Sequence, residues 1–130
     1  MKAYTDVNQS KKLAKILPLD SADSVIVSIG DREGVKTITI PKETFNILRT
    51  PFTDIRNTIS CWSLAALLSV IPKHIKDYNV LRIDISNNNF AIWYDEIGFG
   101  VNSELPDITM KSAIDACVDM IIKLKEMNLI

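Results

Sequence analysis

Histidine, glycine and cysteine are scarce in this chain: one, four and two among 130 residues. The two cysteines, Cys61 and Cys117, make neither a disulfide framework nor a metal spacing, so folding is not expected to depend on them. In a reducing compartment both are expected as thiols. The single histidine, His74, would need an orienting partner and a nucleophile to act as a general base, and no motif supplies either. No phosphate-cradling glycine loop, nucleophile elbow or zinc pattern is present. Long apolar runs are also lacking. The most hydrophobic stretch, residues 63–71, is too short to cross a bilayer, which takes about 20 residues. Residues 1–15 lack the apolar core of a signal peptide. A cytoplasmic location and no membrane partner are expected. Charge of one sign is missing too. Fifteen basic residues face 16 acidic ones for a net charge of −1, which gives no general attraction to nucleic acid.

What is present is ordinary globular material. A hydrophobic share of 47% with 24% charged residues excludes disorder. No internal repeat, low-complexity tract or linker is visible. The length, residues 1–130, argues for a single globular domain, able to bury roughly two-thirds of its unfolded surface without a metal or disulfide.

Periodicity gives a coarse architecture. Asp6, with Gln9 three positions on, is a capping box for a first helix. Leu13, Ala14 and Leu17 recur at helical spacing, Lys11, Lys12 and Lys15 lie toward water, and Pro18 ends the helix. Residues 25–29 and 35–40 form a hairpin across Asp31-Arg32-Glu33-Gly34. Its register places Val25, Val27, Ile29, Ile38 and Ile40 on one face, and Ile26, Ser28, Thr37 and Thr39 on the other. Residues 41–59 give no clear period and stay open between strand and helical turn. Ser60 or Ser63 caps an apolar, buried helix that Pro72 stops.

A second hairpin, residues 80–86 and 90–95, turns at Asn87-Asn88, since asparagine tolerates left-handed φ. Leu81, Ile83, Ile85, Phe90, Ile92 and Tyr94 share its apolar face; Arg82, Asp84, Ala91 and Trp93 share the reverse. A last helix beginning at Asp107 or Thr109 carries an apolar stripe of Ala113, Cys117, Met120, Ile121 and Leu124, and an Asp119–Lys123 pair on its wet side. The fold expected is α+β: an antiparallel sheet built from two β-hairpins, with about three helices packed mainly on one face.

The run Cys61-Trp62-Ser63-Leu64-Ala65-Ala66-Leu67-Leu68 with Pro72, the hairpin holding Trp93, and Ala113-Ile114-Asp115-Ala116-Cys117 followed by Ile121, Leu124 and Leu129 together resemble a family of small uncharacterised bacterial proteins, often found in prophage or mobile-element regions. The resemblance covers roughly residues 60–130. It implies no activity, cofactor or catalytic residue, and only by association an accessory or binding role.

The functional expectation is therefore a non-enzymatic protein-binding or accessory module, with no cofactor and no metal. Its candidate surface is Trp93, Arg82, Ala91 and Ile26, taken as the uncovered face of one sheet. Trp and Arg are favoured interface anchors, and the partner is a protein or a second copy of the chain. Two alternatives stand beside it. One is a small enzyme with a cleft near Cys61, placed before or within the first turn of a helix, or near the acidic loop 95–107 with Asp95, Glu96, Glu104 and Asp107. The other, disfavoured by the charge balance, is a nucleic-acid binder using Lys11, Lys12 and Lys15.

Overall fold

The computed structural model describes residues 2–31, 34–48 and 55–130. The fold is α+β, and the chain separates into two compact units, residues 4–66 and residues 1–3 with 67–130. The two hairpins do not share a sheet. Each is the nucleus of its own, which corrects the expectation of one sheet built from both.

The first unit opens with helix α1, Val7–Ala14. Asp6 accepts from the Gln9 N–H at 2.8 Å, and the Gln9 side chain accepts from the Asp6 N–H at 3.1 Å, so the capping box forms. The helix ends at Ala14 rather than reaching Pro18, which instead precedes a 3₁₀ turn at Leu19–Ser21. Strand β1, Ser24–Asp31, pairs with β2, Gly34–Pro41, in the expected register, Val27 opposite Ile38 and Ile29 opposite Lys36. Arg32 and Glu33, in the expected turn, lie outside the described residues. Residues 41–59 contain helix α2, Lys42–Leu48, and most of strand β3, Ile55–Cys61, which takes in Ser60 and so removes it as a helix cap. Strand β3 pairs with the other side of β1, giving the order β2-β1-β3.

Helix α3, Leu64–Val70, follows. Ser63 caps it, its Oγ accepting from the Ala66 N–H at 3.2 Å. The Ser63 N–H in turn donates to Asp23 Oδ1 at 2.9 Å. The helix is not buried all round, because Ala65 and Ser69 face water while Ala66 and Leu67 are covered.

In the second unit, β4, His74–Ile75, borders β5, Asn79–Ser86, which pairs with β6, Asn89–Glu96. Two further strands, β7 at Gly100–Val101 and β8 at Ile108–Met110, pair with the far side of β6. The β5–β6 register is the one expected: Leu81 opposite Tyr94, Ile83 opposite Ile92, Ile85 opposite Phe90. Asn87 and Asn88, at φ 49° and 63°, make the tight turn, the left-handed pair a two-residue hairpin requires. Helix α4 runs Ala113–Glu126 from an N-cap at Ser112. Residues 108–110, where the helix was expected to start, form β8 instead. Asp107 and Thr109 are therefore not its caps.

Helix α4 packs on β6 and β8. Ile114, Cys117, Met120, Ile121 and Leu124 are buried beneath it, as are Phe90, Ile92 and Tyr94 of β6. Asp119 and Lys123 pair at 3.2 Å on its wet side. The apolar face of the hairpin is not uniformly covered. Ile83 is 41% and Ile85 75% exposed. Alternation set the face, but the width of one helix set how much of it is dry.

A candidate partner-binding face on the second sheet

Residues two apart on a strand share a face, and so do residues directly opposite one another on neighbouring strands. On the face of the second sheet away from α4, this places Trp93 between Ala91 and Asp95 along β6. It also sets Arg82 directly opposite Trp93, and Asp84 directly opposite Ala91. Val101 of β7 lies opposite Asp95 and is exposed. Trp93, Arg82 and Ala91 are thus brought together as expected.

Asp95 organises the group. Its Oδ1 accepts from the Trp93 indole N–H at 2.9 Å, and its Oδ2 accepts from Arg82 Nε at 3.3 Å. One carboxylate therefore satisfies the indole donor and fixes the guanidinium beside the ring. More than half of the Arg82 side chain stays open, with Asp95 at 29% exposure. Trp93 is half-buried. Sequence reasoning placed Asp95 in an acidic loop and missed this role. The signal that could have found it is the two-residue spacing from Trp93, which puts both side chains on one face. Chemically, the arrangement offers a rigid aromatic surface bordered by a cation, suited to an apolar side chain with a carboxylate beside it.

Ile26 does not belong to this face. It lies on β1 in the other sheet and is buried at 6% exposure. Ser24, Val25, Ile26 and Val27 are all buried in succession, so β1 is covered on both faces. An unbroken Val-Ile-Val run is the sequence mark of such a strand, and it outweighs the alternation used to turn Ile26 outward.

The other candidates are scattered. Cys61 is the last residue of β3 and fully buried, not in the first turn of a helix. Burial, with the Asp23 carboxylate adding to it, pushes its thiol up from 9.0 to about 11. Burial pushes Cys117 up to about 12 against the opposing pull of Lys73. Both thiols are protonated at neutral pH, the opposite of an activated nucleophile. His74 is exposed on β4.

Of the acids at 95–107, Asp95 is engaged as above, and Glu104 and Asp107 are exposed. Glu104 donates its N–H to Asn102 Oδ1 at 2.9 Å, as a turn does. Among the described residues no group of three His, Cys, Asp or Glu side chains is disposed to hold a metal ion. Lys11, Lys12 and Lys15 are exposed on and beside α1. Trp62, unassigned by periodicity, is fully buried, its indole N–H donating to Ser21 Oγ at 3.0 Å. No described helix is long and apolar enough to cross a membrane. No family model matches the chain, and no match to it was found among curated proteins or solved structures.

Proposed function

We propose that this chain is a non-enzymatic protein-binding module whose contact surface is the Trp93 face of the second sheet. The observation that supports this reading is the Trp93–Asp95–Arg82 arrangement, which holds a half-buried tryptophan and an exposed guanidinium in fixed relation on a face that α4 does not cover. Such anchors carry most of the energy in protein interfaces. The partner it fits presents an apolar side chain to the indole and a carboxylate to Arg82. A mobile-element accessory setting rests on the resemblance of residues 60–130 alone.

The test compares full-length wild type with Trp93→Ala and Arg82→Glu as baits in native extract. Circular dichroism confirms that each variant is folded. A protein captured by the wild type and lost by both folded variants supports the reading. Capture unchanged by both variants removes it.

A further inference from the structure

The edge of β5 is built for pairing. In an antiparallel hairpin closed by a two-residue turn, the residues flanking the turn form a hydrogen-bonded pair, and such pairs recur at every second position. Ser86, Asp84 and Arg82 therefore direct their N–H and C=O groups to β6. Ile83 and Ile85 direct theirs to the opposite edge. The Leu81 N–H confirms the phase, since it donates outward to the Lys73 carbonyl at 2.9 Å. Strand β4 reaches no further along that edge, and among the described residues no other strand pairs with β5 beyond it. The open stretch is thus Arg82 to Ser86. It combines backbone groups that no other described strand pairs with and two isoleucines whose side chains are 41% and 75% exposed. An edge of this kind is a template for another strand.

We infer that a second copy of this chain pairs with it, β5 to β5, antiparallel about a two-fold axis through Asp84. The open stretch is self-complementary in that register. Ile83 meets Ile85 of the second copy, and Ile85 meets its Ile83. These are the positions with outward backbone groups, so each pair exchanges two hydrogen bonds and the contact gains about four. Both isoleucine pairs fall on the apolar face, extending the strip that α4 leaves open. On the polar face Arg82 meets Ser86 of the second copy and lies diagonal to its Asp84, an attractive placement on both sides of the axis. Asp84 meets Asp84 at the axis, and that repulsion keeps the dimer weak. The inference deepens the binding-module reading by naming one partner, but it rests on the edge and not on Trp93.

Sedimentation equilibrium of the full chain from micromolar to millimolar concentration tests it, alongside Ile85→Lys, Asp84→Asn and Trp93→Ala. The wild type should show a monomer–dimer equilibrium. Ile85→Lys, at an exposed position that leaves the fold intact, should raise the dissociation constant at least about tenfold. Asp84→Asn should lower it several-fold by removing the facing charges, a gain that a merely structural role for Asp84 would not produce. Trp93→Ala should leave it unchanged. A wild type that stays monomeric throughout overturns the inference and leaves the Trp93 reading to its own experiment. A dimer abolished by Trp93→Ala but not by Ile85→Lys also overturns it, and moves self-association to the Trp93 face.

Discussion

Strands β1 and β6 hold the same place in their sheets, each paired on both edges, yet they bury different things. Four consecutive residues of β1, Ser24 to Val27, are out of solvent. Along β6 burial alternates: Phe90, Ile92 and Tyr94 are covered, while Ala91, Trp93 and Asp95 are only half so. Pairing on both edges is therefore not what decides burial. What differs is the number of covered faces, two for β1 and one for β6. The difference leaves the second face of β6 only partly covered around Trp93, Asp95 and Arg82, the surface proposed above for a partner.

The largest effect that tests this contrast compares the two tryptophans. Trp62, with no exposed surface, should cost about 3–5 kcal/mol on replacement by alanine. Trp93→Ala should cost less, about 1–2 kcal/mol, because its side chain is only partly covered and already meets water. Urea unfolding of both variants decides. Equal losses would make Trp93 a core residue and the open face an illusion.

A narrower comparison stays within one cross-strand pair. Ile92 and Ile83 stand directly opposite on the same face, but Ile92 is fully buried and Ile83 is not. Ile92→Ala should cost about 2–5 kcal/mol by leaving a cavity, and Ile83→Ala under about 1 kcal/mol. Similar losses would mean that α4 covers more of β5 than its contacts with β6 and β8 imply.

The last test is in pH and applies to both units alike. Cys61 and Cys117 titrate at about 11 and about 12 when folded, against 9.0 unperturbed. Between those values the unfolded chain releases thiol protons that the folded chain keeps. Stability is thus fully present below 9.0 and falls as pH rises through 11 to 12. Urea midpoints measured from neutral to strongly alkaline pH should decline over that window. A flat profile would mean that neither thiol is shielded as its burial indicates.

Local pattern made several elements legible. The capping box at Asp6 and Gln9, both hairpin registers and the apolar stripe of α4 all follow from spacings of two to four residues. What failed depended on distant contacts. Strand β3 has no clean alternation around Asn57, whose φ is 50°, and its pairing with β1 shifts register between Ile26 and Ser28. Residues 108–110 became a strand because β6 offered them an edge, with Ile92 opposite Ile108. Of the candidate site, Trp93, Arg82 and Ala91 were legible from the strand period, but Ile26 lies buried in the other sheet and the organiser Asp95 adjoins an acidic loop that obscures its place on the strand.

The sequence by itself determined the α+β class, the turns at asparagine, and which side chains of each hairpin share a face. These rest on the two-residue strand period and on backbone preferences that act within a few positions. Only the tertiary structure decided that the hairpins seed separate sheets, that Ile26 is buried while Ile85 is not, and that beyond β4 no described strand pairs with the outer edge of β5. Burial and strand pairing are set by what arrives from elsewhere in the chain, and one amphipathic helix is too narrow to cover every strand whose pattern invites it.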